Sequence, residues 1–145
     1  LVGGGVGIAP LLTMGRHLLS RGYEPTFLLG ARTDSAFPDL TPFEEVGDLL
    51  ITTEDGSLGE QGFVTEHTVW GKRTFSDIYC CGPTPMMKAV ADIARRNKIR
   101  CEVSLENMMA CGIGICLCCV EPTVRGNVCV CTEGPVFNIE DLLWQ

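Results

Sequence analysis

The pattern of hydrophobic and polar positions divides the first 105 residues into short apolar runs separated by longer amphipathic segments. Such alternation is typical of strands that alternate with helices on a parallel sheet. Leu1 and Val2 have the character of the end of a first strand. Further apolar runs predict four more strands, at 26–31, 48–54, 75–81 and 99–105.

Two of the connecting segments carry a clear helical period. Residues 10–21 place their leucines on one side and end at Gly22, a natural helix stop, and residues 85–97 also have one apolar face. Prolines restrict the connection before the third strand to a short or irregular helix. The fold predicted for residues 1–105 is therefore a doubly wound, five-stranded parallel sheet of the α/β class.

The last 40 residues have a different character, because they are rich in glycine and cysteine and show little periodicity. One hairpin is predicted around Arg125, Gly126 and Asn127. We therefore expect two units, a sheet domain over 1–105 and a small cysteine-rich lobe over 106–145.

Composition narrows the classes of protein that fit this pattern. The chain has 145 residues, enough for one ordinary domain with a real core, and its net charge is −7 at pH 7. An acidic chain repels phosphate at long range, so we expect no binding to nucleic acid or to an anionic membrane. No apolar run reaches the ~18 residues of a membrane span. The nine cysteines, clustered between residues 80 and 131, indicate a reducing compartment, and we expect a cytoplasmic protein.

The first candidate binding segment is the sequence GGGVGIAP, between the first predicted strand and the first predicted helix. Glycine here lets the backbone turn sharply and approach a pyrophosphate, and the N-terminus of the following helix favours its negative charge. Ile8 stands where the standard dinucleotide fingerprint has its third glycine, and the loop lacks a Walker lysine. The segment is interpreted as a phosphate cradle, with an ordinary tight turn as the alternative.

A second loop of the same kind, CGPTPMM, follows the fourth strand. Together the two loops resemble the NAD(P)-binding half of the ferredoxin reductase family, in which GGGxGIAP and CGPxxM follow strands one and four. The resemblance implies that the first loop holds the pyrophosphate, that Cys81 lies near the nicotinamide, and that Arg32 lies near the adenine ribose. Arg32 would favour a 2′-phosphate, which leaves NAD and NADP both open.

The stretch TEDGSLGEQG, after the third strand, resembles that family's TDDGSxGxxG. Thr53, Asp55 and Gly56 in this stretch are about equally well explained as turn formers. Carried over residue by residue, the resemblance predicts these nucleotide-contact residues: Gly3, Gly4, Gly5, Gly7, Ile8, Ala9, Pro10, Arg32, Thr53, Asp55, Gly56, Cys81, Gly82, Pro83 and Met86.

Four of the nine cysteines fall within CGIGICLCC. Cys111, Cys116 and Cys119 have the spacing Cx4Cx2C, which together with a distant fourth cysteine is the plant-type [2Fe-2S] pattern. Thiolates are soft ligands that suit iron–sulfur clusters or zinc. A zinc site of Cys116, Cys119, Cys129 and Cys131 is the main alternative, but it leaves Cys111 without a role. A disulfide arrangement is a lesser alternative.

Several other residues that can carry chemistry are interpreted as packing or surface residues. Cys118 is interpreted as a bystander pointing away from Cys119, and the cysteines at 80 and 101 as small core residues of strands. His17 and His67 are predicted on helices with surface or packing roles, so no catalytic acid or base is assigned. Glu106, just before the cysteine stretch, is interpreted as a solvated carboxylate, with tuning of a cluster as the alternative.

The segment SLENMMACGIGICLCCVEP, followed by VCVCTEGPVF, closely resembles the iron–sulfur end of the electron transfer subunit of type B dihydroorotate dehydrogenase. That family reads SLE, MACGIGxCxxCV and VCxxGPVF, and the resemblance extends over the entire chain. It implies that the fourth ligand is Cys131, which precedes GPVF, and that Cys129 is the spare. The implied metal ligands are Cys111, Cys116, Cys119 and Cys131.

The resemblance implies electron transfer in pyrimidine biosynthesis. In that family, dihydroorotate reduces FMN on a catalytic partner subunit, and electrons pass through the [2Fe-2S] cluster and FAD to NAD. One alternative is a related NAD(P)-linked subunit of a sulfhydrogenase or of a ferredoxin oxidoreductase. The other is a zinc-stabilised nucleotide-binding module without enzymatic activity.

The family has an N-terminal flavin-binding barrel, and this sequence has no counterpart of it. We therefore expect the chain to be a C-terminal fragment of a longer subunit that forms a hetero-oligomer with its FMN-containing partner. In this interpretation the missing domain supplies most of the FAD site. The fragment by itself is then inactive.

Overall fold

The computed structural model of the chain describes residues 1–144. Two strands, β7 (Val120–Thr123) and β8 (Gly126–Cys129), form a separate antiparallel hairpin. The main sheet has seven strands: β1 (Val2–Gly4), β2 (Thr26–Ala31), β3 (Asp48–Thr53), β4 (Glu60–Gln61), β5 (Asp77–Cys81), β6 (Arg100–Ser104) and β9 (Val136–Asn138).

Five helices connect these strands, together with short 3-10 turns at Gly5–Gly7 and Asp34–Ala36. The two long helices start within two residues of their predicted positions, and the hairpin turns at residues 124–125 as expected. Within residues 1–144, no helix is long and apolar enough to cross a membrane. The helices are α1 (Ile8–Ser20), α2 (Thr41–Glu44), α3 (Val69–Lys72), α4 (Thr84–Asn97) and α5 (Val130–Glu133).

The strand order of the main sheet is β4-β3-β2-β1-β5-β6-β9, and all neighbours are parallel except β6 and β9. From β1 the chain moves outward through β2 and β3, and then returns to β5 on the other side of β1. This reversal creates a crevice at the carboxyl ends of β1 and β5, which is where open α/β sheets bind ligands. The predicted α/β class and all five predicted strands are confirmed.

The sheet nevertheless has two more strands than the five predicted. β4 has two residues and lies within TEDGSLGEQG, and β9 has three residues and lies in the C-terminal segment. Neither is long enough to show an alternating pattern in the sequence. Both form because an existing sheet edge offers backbone partners, with Glu60 opposite Thr52 and Val136 opposite Ser104.

Two groups of buried side chains cover the two faces of the sheet. On one face, α1 and α2 pack against β2, where the rings of Phe27 and Phe43 meet edge to face with centroids 5.2 Å apart. On the other face, α4 buries Met87, Val90 and Ala91. Burial of both faces is what a parallel sheet requires, and it holds the strand ends around the crevice in place.

The cysteine-rich lobe shares the second of these cores. Cys119 and Val130 are buried in it, beside residues of α4 and β6. Arg95 on α4 donates hydrogen bonds to the carbonyl oxygens of Ile139 (2.8 Å) and Trp144 (3.4 Å). β6 ends at Ser104, and the chain beyond it returns to the main sheet as β9, so the last 40 residues are not separate from the sheet.

Candidate functional site

A cleft of about 610 Å³ opens at the carboxyl ends of β1, β2, β3 and β5. Its walls come from both glycine-bearing loops and from the ends of β2 and β3. A cleft of this size at the switch point of a parallel sheet is suited to a dinucleotide. Six of the predicted nucleotide-contact residues line it: Gly4, Gly5, Ile8, Arg32, Pro83 and Met86.

The first loop presents backbone rather than side chains to the cleft. Gly5 has a left-handed backbone with φ +56°, and no atom lies within 4 Å of the position that a Cβ would take. The following helix, α1, has no acidic residue in its first turn and no side-chain cap. The first N–H groups of α1 therefore lack a side-chain acceptor, which suits the negative charge of a pyrophosphate.

Four predicted contact residues do not line the cleft: Gly3, Gly7, Cys81 and Gly82. Three of them, Gly7, Cys81 and Gly82, bring the two loops into close contact. A Cβ on Gly7 would lie 2.7 Å from the Cα of Gly82, and closer still to the carbonyl oxygen of Cys81, so only glycine permits this approach. A Cβ on Gly3 would lie 2.7 Å from the side chain of Leu11. Burial raises the pKa of the Cys81 thiol.

The remaining predicted contact residues also lie outside the cleft lining. Ala9 and Pro10 are exposed in the first turn of α1. After β3, the Thr53 hydroxyl donates to the carbonyl of Leu58 (2.8 Å) and accepts from its N–H (3.0 Å). The Asp55 carboxylate accepts two hydrogen bonds from Ser57, which lower the pKa of Asp55, and Gly56 has φ +76°. Thr53, Asp55 and Gly56 thus have the turn-forming role given above as the alternative.

Residues that the sequence did not single out complete the walls of the cleft. Phe63 is 59% exposed although it is large and apolar, and Phe37 also lines the cleft. A phenylalanine directly after the polar TEDGSLGEQG stretch was the available signal for the first of these. Thr52, Glu54 and Thr65 also line the cleft, but nothing in the local pattern distinguishes them from their neighbours.

The same substitution, threonine to valine, is expected to change the free energy of unfolding in opposite directions at the two adjacent threonines of β3. The Thr52 hydroxyl is buried and has no hydrogen-bond partner among residues 1–144, whereas the Thr53 hydroxyl makes two hydrogen bonds. Thr52→Val is expected to raise the free energy of unfolding by about 1 kcal/mol, because it removes an unsatisfied buried hydroxyl. Thr53→Val is expected to lower it by about 1–2 kcal/mol. Urea unfolding followed by tryptophan fluorescence measures both, and equal losses in the two variants would contradict this assignment.

The cysteine stretch lies on an irregular loop, residues 105–119, that follows β6. Three residues of this loop have a left-handed backbone, Gly112 (φ +71°), Gly114 (φ +78°) and Leu117 (φ +58°). These reversals fold the loop back on itself and against the start of α5, where a Cβ on Gly114 would lie 3.2 Å from the side chain of Thr132. The fold thereby brings Cys129 and Cys131 beside the loop.

The structure brings the four predicted metal ligands together in two groups, and each group includes one further cysteine, Cys118 beside Cys116 and Cys129 beside Cys119. The Cys111 sulfur accepts hydrogen bonds from the N–H groups of Ile113 (3.5 Å) and Cys116 (3.4 Å), and the side chains of Cys111 and Cys116 are in contact. The N–H of Cys131 donates to the Cys119 sulfur (3.4 Å), and these two side chains are also in contact.

Hydrogen bonds to sulfur favour the thiolate in each group. The pKa of Cys116 is lowered to about 6, chiefly by the backbone N–H of Cys118 and then by hydrogen bonds from Cys111. The pKa of Cys119 is lowered, chiefly by the backbone N–H of Cys131. In return, the hydrogen bond to Cys119 raises the pKa of Cys131. Since the thiolate is the form that binds metal, these donors suit a metal site.

This arrangement also bears on the choice between zinc and a cluster. Among residues 1–144, no group of three or more His, Cys, Asp or Glu side chains is placed to hold a single ion. Structural zinc takes four ligands around one ion, whereas each iron of a plant-type [2Fe-2S] cluster takes two cysteine thiolates. The contacts of Cys111 with Cys116 and of Cys119 with Cys131 are compatible with two thiolates on each iron, although Cys118 and Cys129 contact members of the same groups.

Two of the remaining cysteines have contacts that the sequence did not predict. Cys118 is close to Cys116 and contacts its carbonyl oxygen (3.9 Å), and the Cys129 sulfur contacts the carbonyl of Gly114 (3.7 Å). The predicted core role of the cysteines at 80 and 101 is confirmed, because they are 2% and 1% exposed.

His67 has partners that the sequence did not reveal: its Nδ1 accepts the N–H of Val69 (2.9 Å), and its Nε2 lies 3.6 Å from Glu60.

Two protein families have sequence profiles that match this chain. Residues 1–92 match the oxidoreductase NAD-binding domain, and residues 106–143 match the iron–sulfur cluster binding domain of dihydroorotate dehydrogenase B. The first match contains the cleft loops, and the second contains all the cysteines of the loop and of α5.

Curated relatives and a solved structure are similar over nearly the whole chain. A dihydroorotate dehydrogenase B (NAD(+)) electron transfer subunit of Shouchella clausii is 40% identical over 99% of this chain and 56% of its own length. A probable subunit of the same name from Methanocaldococcus jannaschii is 45% identical over 94% of this chain and 53% of its own length. The chain thus spans about half the length of the curated relatives it matches.

The solved structure is a chain of the NADH-dependent reduced ferredoxin-NADP oxidoreductase, described in work on flavin-based electron bifurcation. It superposes with a TM-score of 0.88 at 35% sequence identity, over 99% of this chain and 52% of that chain. The likeness supports the ferredoxin reductase-like architecture that the two glycine-bearing loops predicted.

Proposed function

The chain belongs to the oxidoreductase NAD-binding domain family, and from this premise we propose that it is the NAD- and cluster-binding part of an electron transfer subunit of the dihydroorotate dehydrogenase B type. In this function, electrons from the oxidation of dihydroorotate by an FMN-containing partner subunit pass through a [2Fe-2S] cluster and FAD to NAD, in pyrimidine biosynthesis. The names of the curated relatives and the matching iron–sulfur domain support this assignment.

The single observation that carries the proposal is the position of the two sites on one edge of the sheet. β5 and β6 are parallel neighbours, and Cys81 at the end of β5 is in register with Ser104 at the end of β6. The cleft loop CGPTPMM follows β5, and the cysteine loop, residues 105–119, follows β6. The proposed nucleotide site and the proposed thiolate site would therefore lie at adjacent strand ends, which supports electron transfer between them.

We infer separate tasks for the residues of this chain. The backbone of Gly4 and Gly5 and the N-terminus of α1 would hold the pyrophosphate, and Pro83 and Met86 would lie beside the nicotinamide half. Cys111 with Cys116, and Cys119 with Cys131, would hold the cluster. A cluster exchanges single electrons and NAD takes a hydride, so a flavin must couple the two. Among the described residues that line the cleft, only Arg32 and Glu54 are charged, so no side chain is assigned as an acid or base.

The proposal extends to the setting in which the chain works. We infer a hetero-oligomer with the FMN-containing subunit, a cytoplasmic location consistent with nine clustered thiols, and no turnover by this chain without the FAD domain and the partner. These parts rest on the resemblance and on the length of the relatives.

Anaerobic purification of the natural subunit that contains this chain tests the proposal. We expect about two irons and two acid-labile sulfides per chain, and an electron paramagnetic resonance signal after reduction with dithionite. Protein that instead holds one zinc and no labile sulfide would support the non-enzymatic nucleotide-binding module. Co-purification with the partner, followed by an assay of NAD reduction by dihydroorotate, separates the proposed function from that of a sulfhydrogenase or a ferredoxin oxidoreductase.

A further inference from the structure

The cysteine loop is buried at its two ends and open to solvent between them. At its start, Leu105 is 4% exposed, and its N–H donates to the carbonyl of Pro135 (2.9 Å). At its end, Cys119 is 2% exposed, and its carbonyl accepts the N–H of Val130 (3.0 Å). All side chains of residues 108–118 are exposed or half-buried, so packing alone does not fix the path of this stretch.

One side-chain hydrogen bond joins the two ends of the loop. The Nδ2 of Asn107, near the start of the loop, donates to the Oε2 of Glu121 (3.0 Å), which lies on β7 directly after the loop. Among the hydrogen bonds of residues 1–144, it is the only one between a nitrogen and an oxygen that joins residues 106–118 to the rest of the chain. The bond therefore closes the loop that carries three of the four proposed cluster ligands.

The carboxylate of Glu121 is itself held from the other side. Its Oε1 accepts the indole N–H of Trp144 (3.0 Å), which is 9% exposed and packs against α4. There the Nζ of Lys88 lies 5.8 Å from the centroid of the Trp144 ring, and Arg95 donates to the Trp144 carbonyl. No cationic side chain of residues 1–144 lies within 4.0 Å of the Glu121 carboxylate, so two neutral N–H donors hold it, one on each oxygen.

We propose that Glu121 is a positioning residue for the cluster: by tying Asn107 to Trp144 it keeps the cysteine loop closed, and it thereby sets how firmly the protein retains the cluster. A loop whose ends are already joined loses less conformational entropy when its thiolates bind iron. Without the bond, the start of the loop moves away from β7 more readily, and the ligands separate more often. In this role Glu121 touches neither iron nor sulfide and acts through the loop.

This inference rests on the proposed function, because it assumes that the cysteine loop holds a cluster. The test uses the natural subunit, purified anaerobically, and measures the rate at which EDTA bleaches the visible absorbance of the cluster. Asn107→Asp replaces the hydrogen bond by repulsion between two carboxylates, so bleaching is expected to be about tenfold faster. The electron paramagnetic resonance signal of the reduced protein is expected to broaden, because the loop then holds the cluster in more than one arrangement.

The double variant Asn107→Asp, Glu121→Gln exchanges the amide and the carboxylate between the two positions. The new amide group donates to the new carboxylate, and its oxygen still accepts the indole N–H of Trp144, so both hydrogen bonds are kept. The bleaching rate is expected to return to within about twofold of that of the unmodified subunit, and the resonance signal to its original width. Asn127→Asp is the matched control, because it adds the same charge at an exposed position on β8, and it is expected to change neither readout.

Far-ultraviolet circular dichroism checks that the sheet is folded in each variant. The inference would be overturned, and the proposed function left intact, if Asn107→Asp retained its cluster as firmly as the unmodified subunit. The same conclusion would follow if the double variant lost its cluster as fast as Asn107→Asp, or if Asn127→Asp had the same effect as Asn107→Asp. An unmodified subunit without acid-labile sulfide would overturn both the inference and the proposed function.

Discussion

Replacing Cys131 by serine is expected to remove the cluster from the protein, whereas the same change at Cys129 is expected to leave it in place. Both side chains contact Cys119, and what distinguishes the two cysteines is the backbone N–H of Cys131 together with its position before GPVF, which the family resemblance makes the fourth ligand. The backbone N–H of Cys131 donates to the Cys119 sulfur, and its side chain contacts that sulfur. The Cys129 sulfur is in contact with the carbonyl of Gly114. A serine hydroxyl is a harder and less acidic ligand than a thiolate, so it does not replace one on iron.

Iron and acid-labile sulfide measured after anaerobic purification provide the readout. For Cys131→Ser we expect both to fall at least about tenfold, and for Cys129→Ser to stay within about a fifth of the unmodified protein. Far-ultraviolet circular dichroism checks that the sheet remains folded in both variants. An equal loss of iron in the two variants would show that the fourth ligand has been assigned wrongly.

A leucine in place of Gly5 is expected to weaken NADH binding at least about tenfold, a loss of about 1.4 kcal/mol in binding free energy. Gly5 has φ +56° and lines the cleft, and open space surrounds the position of its missing Cβ. A side chain there projects into the place proposed for the pyrophosphate and prevents the close approach of the backbone. The left-handed backbone also costs a non-glycine residue about 1–2 kcal/mol of stability.

Gly22→Leu separates the binding effect from the backbone effect. Gly22 also has a left-handed backbone (φ +84°) with no atom near the missing Cβ, but it follows α1 at the end of that helix far from the cleft loop. Both variants are expected to lose a similar free energy of unfolding, and only the Gly5 variant to lose NADH affinity. Undiminished NADH binding by the Gly5 variant would refute the phosphate-cradle interpretation.

Much of the site is recognisable in the amino-acid sequence, because its signals are local. The loops GGGVGIAP and CGPTPMM lie at strand ends in the sequence, and parallel strands bring such ends to one edge. The spacing of Cys111, Cys116 and Cys119 likewise belongs to one short loop. In these cases the residues that act together are also close together in the chain.

Other parts of the site were not predictable, because they depend on contacts between distant segments. Thr53 was predicted in the cleft, but successive residues of a strand point to opposite faces, and it is Thr52 that lines the cleft. Glu54 was not singled out in the sequence, because only the register of β2 and β3 brings it beside Arg32 at the cleft. The strands β4 and β9 are too short to be seen until a neighbouring edge pairs with them.

The amino-acid sequence by itself determined the order of the five predicted strands and the two long helices, the two glycine-bearing loops at strand ends and the set of thiols offered to a metal. These properties follow from periodicity and from the conformational freedom of glycine, which act over a few residues. Only the tertiary structure decided which side chains face the cleft, which thiols come into contact, and that the cysteine lobe closes the sheet through β9. Those outcomes depend on strand register and on packing between segments far apart in the chain, which no short stretch of sequence specifies.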